Sequence, residues 1–230
     1  YVHENPQLVR TGVFNALFLN HTDYPGVVRE CVLNYFRQHQ EITIPNIHFV
    51  KLAQYLALAK TRSSHAGEIH FSADQIRQLH SLPVYSASQT IYASLPAYFQ
   101  EGVTETDILS FAALIACCMT VKHPSRIPEN ERAAIEAEVR EITAFIAKYY
   151  DVSGIFDDHF HQDFTCYLYG LHLKMEFNFS SDAEKLPGST KIGLLSADIS
   201  SLFALFYKVK HGVYLREVDL VDAYYIFNSA

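Results

Sequence analysis

One pattern that occurs twice constrains this chain more than any other feature. Ile47 to Arg62 reads IHFVKLAQYLALAKTR, and Phe160 to Lys174 reads FHQDFTCYLYGLHLK. A shift of 112 residues sets Leu52 on Phe164, Tyr55 on Tyr167 and Arg62 on Lys174. In each copy a tyrosine precedes a basic residue by seven positions, two helical turns and therefore one helix face. Neither run contains proline and both carry apolar residues at helical spacing, so each is expected to open a repeated helical unit. A second pair follows at a shift of 110: GVTETDILSFAALIACC from Gly102 and GVYLREVDLVDAYYIFN from Gly212, with Asp107 on Glu217. Both place an acidic residue near the start of an apolar helix, where the positive end of the helix dipole favours it. The expected fold is all-α, two tandem homologous helical bundles behind a short helical lead-in.

Length and composition agree with this. The 230 residues can form two ordinary domains with a core each, and 49% hydrophobic content is that of a folded chain. A net charge of −7 argues against this stretch holding nucleic acid by itself, because phosphate contacts need clustered Lys and Arg. The densest basic segment, Lys208 to Arg216, is interrupted by apolar residues. Cys31, Cys117, Cys118 and Cys166 have no metal-ligand spacing and fit a reducing cytosol, so a cytoplasmic location is expected. No charge-free apolar run reaches membrane-spanning length and no signal peptide opens the chain, so no membrane is expected as a partner. A start at Tyr1 reads as a piece of a longer protein.

Taken in order, residues 1–43 form the lead-in, with one helix after Asn5-Pro6 and a second over Val27 to Gln40. The first domain spans 44–122. Its key helix begins at Pro45, a short helix is capped by Ser72 or Asp74, and Leu82-Pro83 breaks it. A helix from Val84 to Phe99 and a closing helix from Glu105 to about Val121 follow. Residues 123–154 form a linker with an amphipathic helix over Glu131 to Asp151. The second domain, 155–230, has helices over Phe156–Asn178, Lys191–Lys210 and Leu215–Ser229, with a loop around Pro187-Gly188.

This doubled order of elements resembles the PTS regulation domains of bacterial transcriptional antiterminators and mannitol-operon-type activators. The likeness covers roughly 44–121 and 156–230, and the lead-in is similar to the segment that joins such domains to upstream winged-helix modules. The family's first-helix pattern is Leu, two residues, His, then a basic residue seven further on; its last-helix pattern is an acidic residue followed seven positions later by His. The resemblance implies that those histidines accept phosphate from sugar-phosphotransferase proteins and bias dimer packing. Carried across, the positions are Tyr55 and Leu114 in the first repeat and Tyr167 and Tyr224 in the second. None is histidine. Phosphoryl transfer from phosphohistidine needs a neutral imidazole nitrogen, and a phenol of pKa near 10 is a poor substitute. The expectation is a domain pair that keeps its fold and dimer but lacks the usual switch. His48, seven residues before Tyr55, is the one histidine on the matching face; His172, five after Tyr167, is turned away.

Other constellations are weaker. Asp157 to Asp163, DDHFHQD, could place Asp158 with His161 or His159 with Asp163 on one face, yet an acidic, capped first turn accounts for it. A helical metal-dependent phosphohydrolase would need an adjacent His-Asp pair, and none occurs. Nucleophile elbows, glycine-rich phosphate loops and CxxC pairs are also missing. The tyrosines beside apolar neighbours read as core or interface residues, with Tyr167 and Tyr224 the candidates for an interface.

The sequence therefore reads as a non-enzymatic regulatory fragment of a sugar-operon transcription regulator. It is expected to need no cofactor or metal, to form a C2 homodimer, and to meet phosphotransferase-system proteins. Contact with DNA or RNA would run through modules outside the fragment. The competing readings are the phosphohydrolase and a purely structural oligomerisation module.

Overall fold

The computed structural model describes residues 24–39, 42–62, 70–151, 156–177, 194–215 and 217–229. The helix expected after Asn5-Pro6 and the loop expected around Pro187-Gly188 lie outside these residues. Among the described residues the fold is all-α, with ten helices and no strand. They are α1 Tyr24–Gln38, α2 Asn46–Arg62, α3 Ala73–Ser81, α4 Pro83–Ser94, α5 Ala97–Gln100, α6 Glu105–Cys118, α7 Glu129–Ile146, α8 Asp158–Glu176, α9 Leu194–His211 and α10 Glu217–Ser229.

Local chemistry sets most boundaries. Ser72 caps α3 in a reciprocal box: Gln75 N–H donates to the Ser72 hydroxyl at 3.1 Å, and Ser72 N–H donates to Gln75 Oε1 at 2.9 Å. Thr104 and Asp107 build the same box at the start of α6, with Thr104 N–H donating to Asp107 Oδ2 at 2.8 Å. Pro83 opens α4 from its first turn, where a missing N–H costs nothing. The helix expected over Val84 to Phe99 stops at Ser94 instead. Pro96 holds Leu95 in extended backbone (ψ 155°), and the chain resumes as the single turn α5. The Gln100 amide donates to the Ala93 carbonyl at 3.0 Å, serving one of the oxygens this break leaves at the end of α4. Asp157 caps α8, accepting from Phe160 N–H at 2.8 Å.

The chain divides into two compact units: Tyr1–Thr120 with Lys174–Asp182, and Val121–Leu173 with Ala183–Ala230. In the first, Leu52 and Leu56 of α2, Leu79 of α3, Ile91 of α4, and Phe111 and Ile115 of α6 are fully buried. Each such side chain contributes about 1.5–3 kcal/mol of transfer free energy. Ser88 buries its hydroxyl by donating to the Ile108 carbonyl at 2.7 Å, which fixes α4 against α6. An isolated backbone bridge joins Thr43 to Thr120, with Thr120 N–H donating to the Thr43 carbonyl at 2.8 Å.

The second unit is organised around aromatic rings. Phe164 of α8 lies 5.4 Å from Phe203 of α9 and 5.1 Å from Phe227 of α10, and Phe160 lies 5.6 Å from Phe227. Phe203 in turn meets Tyr207 edge-on at 5.0 Å. The amphipathic helix α7 packs on α9 through Phe145 and Phe206, 5.7 Å apart, and through the Lys210–Glu141 ion pair. Gly102 and Gly212, which precede the closing helices α6 and α10, both adopt left-handed backbone (φ 76° and 69°).

Candidate functional site

The four positions to which the resemblance points, Tyr55, Leu114, Tyr167 and Tyr224, fall on α2, α6, α8 and α10. Tyr55 of α2 is half-buried and stacks on Phe111 of α6 (5.9 Å, 13°). Leu114, one turn further along α6, is buried. Tyr167 of α8 packs against Phe164 and Phe203 and donates its hydroxyl to the Asp219 carbonyl of α10 at 2.6 Å. Tyr224 of α10 is half-buried, its ring 5.6 Å from that of Tyr225. In both units the tyrosine of the key helix thus reaches the closing helix. Burial pushes the Tyr167 phenol well above its ordinary range, and the Asp219 and Asp222 carboxylates add to the shift. Tyr167 is a neutral hydrogen-bond donor engaged with backbone, without the properties of a nucleophile.

Burial recurs in the same register. Leu52 and Phe164, and Leu56 and Leu168, are buried at the shift of 112 residues. So are three pairs the sequence reading did not align: Ala87 with Ile199, Ser88 with Ser200, and Ile91 with Phe203, on α4 and α9. At the shift of 110, Leu109 and Asp219, Ala113 and Ala223, and Cys117 and Phe227 are all buried.

The most elaborate polar cluster joins residues that sequence spacing did not bring together. Glu138 of α7 is buried, and its carboxylate accepts from two imidazoles. His211 Nε2 stands 2.6 Å from Oε1 and His172 Nε2 3.1 Å from Oε2. The Tyr207 hydroxyl is 3.1 Å from His172 Nε2 and also donates to Glu138. Burial opposes the charge on Glu138, but the hydrogen bonds and charges of His172 and His211 outweigh it and hold the carboxyl down to about 2. Tyr207 is pushed up, by burial first and then by the Glu138 charge. The cluster fastens α7, α8 and α9 at one point. Both imidazoles present Nε2 to the carboxylate, with their rings at 70° to one another.

His159 and Asp163 pair along α8 at 3.7 Å, and no group of three or more His, Cys, Asp or Glu is arranged to hold a metal among the described residues. His48 is half-buried in the first turn of α2. A third feature is an open groove of about 790 Å³ in the second unit, where the end of α7 meets the start of α8; Arg140, Lys148, Tyr149, Tyr150, Phe156 and His161 are among its lining. No helix among the described residues is long and apolar enough to cross a membrane.

No family model, no curated protein and no solved structure matches the chain.

Proposed function

We propose that the chain is a regulatory fragment of a sugar-operon transcription regulator, built from two tandem domains of the PTS-regulation type. It dimerises and passes the state of phosphotransferase proteins to a nucleic-acid-binding module outside the fragment. It works in the cytoplasm, without catalysis of its own. The observation that carries this reading is the register of burial: side chains at a common shift of 112 residues are buried on the key helices and again on α4 and α9. A chain assembled from unrelated helices has no reason to repeat such a register across two elements.

The residues at the phosphoacceptor positions favour relay by contact over relay by phosphate. A phenol bonded to a carbonyl and a buried leucine offer no neutral nitrogen to a phosphohistidine donor. Two measurements on the purified chain test the reading. Light scattering should give twice the 26.2 kDa chain mass. Immobilised chain should retain a phosphotransferase protein from a defined set, with no radiolabel transferred from the phosphorylated carrier. A monomer that retains none of them overturns the reading. A dimer that retains none is the purely structural module.

A further inference from the structure

The groove at the junction of α7 and α8 has a chemistry that neither the repeat nor the proposed relay explains. Arg140, Ala144 and Lys148 follow one another at four-residue intervals, so they share one side of α7 and its terminal turn. His161 and Phe156 face the same space from the start of α8. Two permanent cations and an imidazole therefore line one concavity of a chain whose net charge is −7.

These cations differ from their neighbours. Arg132 of α7 pairs with Glu129 and Glu136, and Lys210 of α9 with Glu141. Arg140 and Lys148 have no carboxylate partner, and the His161 ring nitrogens no hydrogen bond, among the described residues. Among the described residues of the lining, Asp151 is the one that is acidic. The Tyr150 hydroxyl is engaged by Asp198, which leaves its ring as wall. Lys148, just past the last turn of α7, also complements that helix's negative end; Arg140, six residues before the end, does not.

We infer that this groove binds a small phosphorylated molecule, a phosphomonoester with a compact organic body. A guanidinium supplies a planar fork for two phosphate oxygens, an ammonium supplies a point charge, and an imidazole donates a further hydrogen bond. That set matches a dianion better than a monocarboxylate. The size agrees: about 790 Å³ lies within the range of roughly 300–1,000 Å³ for small-molecule sites and exceeds what inorganic phosphate fills. Ala144, Ala147 and Phe156 give the organic body an apolar floor.

The test is calorimetric titration of the whole chain with phenyl phosphate, and in parallel with inorganic phosphate, benzoate, phenol and a phosphoserine peptide. Phenyl phosphate should saturate one site per chain and bind more tightly than the other four. Arg140→Gln with Lys148→Gln should weaken it at least tenfold, with unchanged helicity and melting temperature because both side chains are exposed. Arg77→Gln, removing a cation of the first unit, should leave binding as it was. The assignment is overturned by the absence of saturable binding, by equal affinity for phenol or benzoate, or by an unaffected double variant. Preference for the peptide would replace a small-molecule site with a phosphoprotein site.

Discussion

Single residues in this protein are defined by what burial does to their protons. Glu138 carries a charge in the interior because two imidazoles and a phenol surround it. Its folded pKa, about 2, lies below the ordinary 4.5, so the charged network stabilises the fold above pH 4.5. That contribution is lost as pH falls from 4.5 through about 2. Glu138→Gln should therefore cost about 2–3 kcal/mol at pH 7, and the gap to the native protein should close on acidification. Urea unfolding of both proteins at pH 7, 4 and 2.5 checks this; a gap independent of pH would contradict the charged network. The cysteines obey the same rule. Burial pushes Cys117 upward, and Cys118 and Cys166 up to about 12, while Cys31 on α1 is only half-buried. A thiol reagent such as DTNB should titrate Cys31 first in the native protein and the other three only on unfolding. Sequence reading can place Cys117 and Cys118 in the interior from their apolar run. It missed Glu138, whose partners lie 34 and 73 residues away and share no spacing with it. Periodicity reports which face of one helix is apolar and carries nothing about which polar group on another helix will meet it.

At the scale of elements, boundaries were legible wherever a side chain closes a helix upon itself. Ser72 with Gln75 and Leu82-Pro83 are local devices: α3 begins at the first and ends at the second, where α4 begins. Thr104→Ala removes one half of the box at the head of α6 and should cost about 1 kcal/mol, read as a lowered urea midpoint at unchanged slope. Pro96 shows how such reading fails. The helix expected over Val84 to Phe99 contains this proline near its end, yet the proline forces Leu95 out of helical backbone and ends α4. The two glycines are a subtler sign. Gly102 and Gly212 match in the sequence because both hold a left-handed turn that admits other residues only under strain. Gly212→Ala should then cost about 1 kcal/mol without touching any neighbour, since a Cβ there meets nothing within 4 Å. Thermal melting monitored by helicity measures it.

For the whole molecule, the all-α class followed from periodicity alone. The units also differ in how they fill their interiors. Leucine, isoleucine and alanine dominate the first, whereas phenylalanine and tyrosine interlock in the second. Phe164→Ala should therefore destabilise the second unit by about 3–5 kcal/mol, the cost of an unfilled aromatic site. The near-ultraviolet signal of the buried rings should collapse before that of the first unit. The positions most readable from the repeat are thus those that organise packing. The groove and the Glu138 cluster were not readable, because each draws on the ends or faces of helices that only tertiary structure brings together.

The backbone bridge between Thr43 and Thr120 has a consequence for chain architecture. It sets two points almost eighty residues apart in the chain side by side, so the segment between them enters and leaves at one place. A segment shut in this way can be copied head-to-tail or transplanted into a host loop with little entropic penalty at the junctions.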